Sequence, residues 1–133
     1  MAQFEPSETW EPMPKTVLIA DDNEAIRKVL CRMFEREEHY DLCAEPKNGK
    51  QAIELAIQHR PDPIILDLSM PVMNGLEAAH ELKKLMPSVP IILLAQHADL
   101  GNRIGIMNRD VDRIVSKSEG ASLMGHIRLL APA

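Results

Sequence analysis

The chain has 133 residues, a formal net charge of −5 and two cysteines, which is the scale of one domain with a core of its own. An acidic balance without a Lys/Arg stripe argues against direct nucleic-acid binding, whose affinity rests on cations meeting phosphates. No apolar run approaches the roughly 18 residues of a membrane span, and Cys31 and Cys43 lack C-x-x-C spacing and read as reduced, buried thiols, so a soluble cytoplasmic protein is expected.

Residues 1–15 hold prolines and no hydrophobic period, and read as a flexible N-terminal tail whose Phe4 and Trp10 are available to dock on the domain or on a partner. From residue 16 to 133 five apolar runs alternate with five helical patterns. The first run, Thr16-Val17-Leu18-Ile19-Ala20, ends in Asp21 and Asp22. Ile26, Val29, Leu30, Met33 and Phe34 then recur at helical spacing, so a helix is expected over about 24–37 with Asn23 as its N-cap. A second strand near Tyr40 to Glu45 alternates as an edge strand does. The turn Pro46-Lys47-Asn48-Gly49 leads into a helix with Ala52, Ile53, Ala56 and Ile57 on its buried side.

The central run Ile64-Ile65-Leu66 delivers Asp67 to its C-terminal end, and Pro71 and Asn74-Gly75 after it mark a tight loop. A third helix carries Leu76, Ala79, Leu82 and Met86. Val89 to Leu94 is apolar on both faces, as an internal strand of a parallel sheet is. Leu100, Ile104 and Met107 outline a fourth helix weakened by Gly101 and Gly105, at about 1 kcal/mol each relative to Ala. Arg113-Ile114-Val115-Ser116 ends in Lys117, and Ser118 is placed to cap a last helix carrying Leu123, Met124, Ile127 and Leu130 inward, after which no second domain is expected.

Strands separated by helices imply right-handed crossovers and a doubly wound five-stranded parallel sheet. The order 2-1-3-4-5 makes strands one and three neighbours, which brings Asp21, Asp22 and Asp67 into one crevice at the switch point. Three converging carboxylates need a compensating cation or must give up a charge, and Mg²⁺ prefers a few protein oxygens and keeps its other positions for water or phosphate. An acid pair, a lone acid and a lysine at strand ends therefore make a site for a divalent metal and a phosphoryl group. Neither G-x-x-x-x-G-K-[ST] nor G-x-G-x-x-G occurs, which sets nucleotide sites aside.

These residues resemble the receiver domains of two-component response regulators. The resemblance runs from about Thr16 to Leu130 and rests on Ile19-Ala20-Asp21-Asp22, on Ile65-Leu66-Asp67-Leu68-Ser69-Met70-Pro71-Val72-Met73-Asn74-Gly75, and on Val115-Ser116-Lys117. It implies the flavodoxin-like receiver fold. It further implies that Asp67 accepts a phosphoryl group from a sensor histidine kinase or phosphotransfer protein. Asp21, Asp22 and Asp67 would serve at the Mg²⁺ site with the backbone carbonyl of Ser69, and Lys117 would contact the phosphoryl group. The protein would then be a stand-alone phosphoacceptor rather than an enzyme, with at most slow self-dephosphorylation. It would signal through protein contacts on the face of the fourth helix, fifth strand and fifth helix, a face also open to homodimer formation.

The sequence departs from that family at two switch positions. Ala95 stands where receivers usually carry Ser or Thr, and Ile114 where an aromatic is usual. The lost hydrogen bond to a charged acceptor is worth about 1.5 to 3 kcal/mol, the size of a typical allosteric coupling. Gln96 and His97 are the side chains that could compensate. Ser118 replaces a proline that is often cis, so a trans bond with a displaced Lys117, or a strained loop, is expected. A competing reading follows from Ala95 and Ile114: an interaction module that keeps the fold and works independently of phosphorylation. A Mg²⁺-dependent phosphatase ranks below both, because Ser69 occupies the place where such enzymes carry a second Asp.

Overall fold

Apolar runs of this kind give strands that are buried on both faces, and the folded chain uses both. The computed structural model describes residues 14–96 and 109–132. Within these, β1 (Lys15–Ala20), α1 (Glu24–Glu35), β2 (Tyr40–Ala44), α2 (Gly49–His59), β3 (Ile64–Asp67), α3 (Gly75–Leu85), β4 (Ile91–Ala95) and β5 (Arg113–Ser116) are followed by a 3₁₀ turn over Lys117–Ser122 and by α4 (Leu123–Leu130). The five strands are parallel in the order β2-β1-β3-β4-β5, the doubly wound arrangement expected from the alternation of strands and helices. The fourth helical pattern with its two glycines, His97, and the tail residues 1–13 lie outside the described residues.

Residues of opposite parity fill two cores. Leu18, Ala20, Ile64, Leu66, Ile91 and Leu93 pack on one face with Ala52, Ala56, Ala79 and Leu82 of α2 and α3. Val17, Ile19, Ile65, Ile92, Leu94 and Val115 pack on the other with Leu30 and Phe34 of α1 and Leu123 and Ile127 of α4. Full burial of such side chains contributes about 1.5 to 3 kcal/mol each, so the sheet is anchored from both sides. β2 is one of the two edge strands, and its register slips between Val17↔Leu42 and Leu18↔Ala44, leaving Cys43 as the extra residue of a bulge. Tyr40 ties that edge to the end of the chain, its hydroxyl donating to the carbonyl of Ala131 at 2.8 Å.

Each of the first three helices begins on an asparagine. Asn23, Asn48 and Asn74 accept from the amides of Ile26, Gln51 and Glu77, and Asn74 with Glu77 completes a reciprocal capping box. Two expectations about helix faces are corrected. Val29 is 58% exposed and Ile57 45% exposed, because the apolar stripes of α1 and α2 are wider than the strips of sheet that they cover. Ser118 does not cap the last helix either. Ser116 caps the 3₁₀ turn through the amide of Ser118, and α4 starts only at Leu123 without a side-chain cap.

Among the described residues two non-glycine residues adopt positive φ, Arg60 at 50° where it closes α2, and Val72 at 68° in the loop after β3. A β-branched residue is poorly suited to that region, and Val72 is 78% exposed, so no packing offsets the strain. Replacing it with a residue that tolerates the left-handed conformation should therefore stabilise the fold. Val72→Asn is expected to raise stability by about 1 kcal/mol, measured as a higher urea midpoint at unchanged m-value.

Candidate functional site

Sheet register carries the acidic residues to one place. Ala20 pairs with Leu66 across β1 and β3, so Asp21 and Asp67, the next residues on each strand, stand at one level at the carboxyl edge. Both continue the parity of Ile19 and Ile65 and so lie on the α1 and α4 side of the sheet. Asp67 pairs in turn with Leu94, and Leu94 with Val115, two residues before Lys117. Lys117 thus starts two strands away, roughly 10 Å at the usual strand spacing, and its long side chain closes that gap. Its Nζ lies 3.0 Å from Asp67 Oδ1 and 3.3 Å from Asp21 Oδ2.

Ligand atoms of Asp21, Asp22 and Asp67 all lie within 4.8 Å of one another. Asp21 is fully buried, Asp67 is 2% exposed, and Asp22 faces solvent. Asp21 Oδ1 accepts from the amide of Asn23 at 2.9 Å, while its buried Oδ2 has no hydrogen-bond partner although the ammonium is near. A buried carboxylate oxygen left without a donor is costly. Orientation toward a cation removes that cost, and an all-oxygen set of two buried acids and one exposed acid fits a hard divalent ion that keeps part of its water shell. The residues present fit such an ion.

Charge crowding appears in the proton affinity of Asp67. Burial, and after it the negative charge of Asp21, push its carboxyl up from 3.8 to about 6, against the opposing pull of Lys117. Burial pulls Lys117 down, but its ion pairs with Asp67 and Asp21 outweigh this and hold the ammonium above its ordinary range. The lysine is therefore a resident cation that partly compensates the carboxylates.

Of the residues marked in the sequence, Asp21, Asp22, Asp67 and Lys117 come together. Ser69 is exposed beside them and its amide donates to Asp67 Oδ1 at 3.3 Å. Ala95 is buried at the end of β4, opposite Ser116, and offers no donor. Ile114 is half-buried against the α2 and α3 core. Gln96 is exposed, and no hydrogen bond among the described residues links it to the site. His97 lies outside those residues. The bond from Lys117 to Ser118 is trans, and Lys117 Nζ lies 3.0 Å from Asp67 Oδ1. Ser118 Oγ lies 2.8 Å from Ser116 Oγ, and this short turn directs the lysine to Asp67 without a proline.

Two supports escaped the sequence reading. Arg27 is 8% exposed on the core side of α1, and its Nη1 donates to the carbonyl of Asp21 at 2.6 Å, which fixes the acidic loop. A charged residue among Ile26, Leu30 and Phe34 was the available signal. Gly49 and Gly75 clamp the loop after β3. Their amides donate to Met73 and Leu68, and a Cβ on either would strike a backbone carbonyl, that of Met73 or that of Asp67. The sequence marked them only as turn residues.

The raised proton affinity of Asp67 makes a stability prediction. Between pH 3.8 and about 6 the folded state binds the extra proton, so metal-free stability falls as pH rises through that window. In EDTA at pH 7, Asp67→Asn is expected to stabilise the fold by on the order of 2 kcal/mol, and thermal melts should show the gain vanishing below about pH 4.

A family model for the response regulator receiver domain matches residues 17–128. The chain is 39% identical over 102 residues to the protein-glutamate methylesterase/protein-glutamine glutaminase 3 of Paramagnetospirillum magneticum, which covers 77% of this chain and 28% of that protein. It is 33% identical over 110 residues to the response regulator protein VraR of Staphylococcus saprophyticus, covering 83% of this chain and 53% of VraR. The chain thus spans about half or less of the length of these relatives. Among solved structures, the response regulator domain of Thermotoga maritima CheB shares the fold, with a TM-score of 0.80 at 23% identity, over 90% of this chain and 98% of that one. The receiver domain of the Francisella response regulator 1452 gives a TM-score of 0.77 at 26% identity, over 88% and 95% of the two chains. With its family model reaching all five strands and both strand-end acid clusters, the chain belongs to the response regulator receiver domain family.

Proposed function

We propose that residues 16–133 act as the phosphoacceptor of a two-component phosphorelay, with Asp67 taking a phosphoryl group from a sensor histidine kinase or a phosphotransfer protein. The observation that carries this reading is the nearly buried Asp67 carboxylate with an ammonium 3.0 Å away and two further acids within 4.8 Å. In the reaction an Asp67 carboxylate oxygen attacks the donor phosphorus, an acyl phosphate bond forms, and the bond to the donor's imidazole nitrogen breaks with its electron pair leaving on that nitrogen. Asp67 must be ionised to attack, which favours pH above about 6. Lys117, already at hydrogen-bond distance, holds the charge that develops on the phosphoryl oxygens. Asp21 and Asp22, with the Ser69 carbonyl, would hold Mg²⁺, which when bound neutralises phosphoryl charge and draws attacking and leaving groups into line. Arg27 keeps the loop of Asp21 in place, and the Gly75 amide keeps that of Asp67.

In this reading the protein is a cytoplasmic signalling partner and not a turnover enzyme. The esterase named among its relatives is matched over 28% of its length, so its activity is not carried over. No helix among the described residues is long and apolar enough to cross a membrane. Output passes through protein contacts, with the face of the fourth helical segment, β5 and α4 as the surface for a downstream partner or a second copy, and no nucleic acid is engaged directly.

A second reading is favoured by one observation. Ala95 is 1% exposed and carries no hydroxyl where a relay would need one. The domain would then be phosphorylation-independent in its contacts.

Incubation with a small acyl phosphate and Mg²⁺ is expected to add one phosphoryl group to the intact mass, and Asp67→Asn or EDTA to abolish the addition. A modified mass that survives Asp67→Asn overturns the assignment. Amide exchange on the modified protein separates the two readings. Altered protection reaching β5 and α4 supports a coupled switch, whereas changes confined to the loops around Asp21 and Asp67 support the uncoupled module.

A further inference from the structure

An apolar groove of about 540 Å³ lies between α1 and the 3₁₀ turn that opens α4. Ile26, Val29 and Met33 form one wall, Ala121 and Leu123 the other, and Lys117 lies at its upper end. Such a volume is in the range that accepts a ligand or a pair of large side chains. We propose that the chain's own N-terminal segment, residues 1–13, occupies this groove, with Trp10 seated on Val29 and Met33.

Reach, side-chain chemistry and charge each support that occupant. β1 starts at Lys15, whose amide bonds to the carbonyl of His39, four residues beyond the end of α1, so the segment leaves the sheet at the end of α1 that carries Met33. Lys15 also borders the far end of α4, beside Leu130 and Ala131, on the same face as the groove. Trp10 lies five residues before Lys15 and reaches about 17 Å when extended, and Phe4 reaches about 37 Å. From Met33 to Ala25 along α1 is about 12 Å, so both rings fall within range of the groove. Among the described residues the aromatic side chains of the core are Phe34 and Tyr40, and the chain's other two aromatic residues, Phe4 and Trp10, both belong to the N-terminal segment. Pro6, Pro12 and Pro14 restrict the unbound segment and lower the entropy lost on docking.

Charge selects this occupant over a neutral one. Glu5, Glu8 and Glu11 are interleaved with the two rings. Arg32 and Arg36 stand three residues beyond Val29 and Met33, hence next to them on the helix surface, and both are exposed. Among the described residues neither forms an ion pair. An acidic aromatic strand laid beside a basic helix edge satisfies both sets of groups. Because Lys117 borders the groove and also touches Asp67, occupancy would bear on the acidic site; this consequence alone rests on the function proposed above.

Trp10 is the chain's only tryptophan, so its fluorescence reports the contact without a donor or metal. In the 133-residue chain, acrylamide quenching of Trp10 is expected to be several-fold weaker than in a free peptide of residues 1–15, with emission shifted to the blue. Val29→Gln and Val29→Glu, at a position already 58% exposed, should restore peptide-like quenching while leaving the thermal melt in place. The double variant Arg32→Glu, Arg36→Glu should weaken protection, as should added salt. Peptide-like quenching in the wild type overturns the proposal. Protection untouched by the Val29 variants overturns it too, since Trp10 would then sit elsewhere. Protection lost on dilution assigns the groove to the segment of a second copy and overturns docking within one chain.

Discussion

The mutual repulsion of carboxylates gathered at one edge of a parallel sheet is the constraint on which the rest of this structure depends. Asp21 and Asp67 are placed side by side by the pairing of Ala20 with Leu66, and neither can withdraw, because each is continuous with a strand buried on both faces. Backbone order therefore fixes the charges before any ligand arrives. What the fold supplies against them is one ammonium, that of Lys117, brought across β4 to 3.0 Å. The balance is incomplete. Asp67 remains hard to ionise and Asp21 Oδ2 lacks a hydrogen bond, so the site is poised for a further positive group.

That poise is held by parts distant in sequence. Arg27 on α1 anchors the carbonyl of Asp21, and the close approach of Gly75 to Asp67 sets the direction of the loop after β3. On β5, the Ser116 and Ser118 pair turns the chain so that Lys117 points inward without a cis bond. The side of the site toward β4 is different in character. Ala95 and Ile114 present only hydrocarbon there, whereas Lys117 borders both the acidic pocket and the apolar groove beside α1. A change of charge at Asp67 thus has a polar connection toward the α1 side of the sheet through the lysine and, among the described residues, none through the end of β4.

Much of this was legible in the residues themselves. Strand ends marked by Asp21, Asp67 and Lys117 were readable because a charged residue directly after an apolar run marks where a buried strand reaches the rim of its sheet. The cap of α1 was readable because Asn23 stands directly before helical periodicity, whereas Asn48 and Asn74 read only as turn residues and the structure shows that they cap α2 and α3. The exposure of Val29 and Ile57 was not, since a periodic stripe says which face of a helix is apolar but not how much neighbouring structure covers it. The last helix begins later than expected because Lys117–Ser122 winds as a 3₁₀ turn, which Ser116 caps through the amide of Ser118.

By itself the sequence determined the kind of fold and the chemical type of the site, because strand burial and helical period are local patterns written every two or three to four residues. Tertiary structure alone decided the distances, since how near Lys117 comes to Asp67 depends on strand order and register, which are summed over the whole sheet. It alone also revealed Arg27 as a support of the acidic loop and the cavity beside Val29. Both depend on what packs around α1, and for the cavity that information lies about ninety residues further along the chain, in the turn before α4.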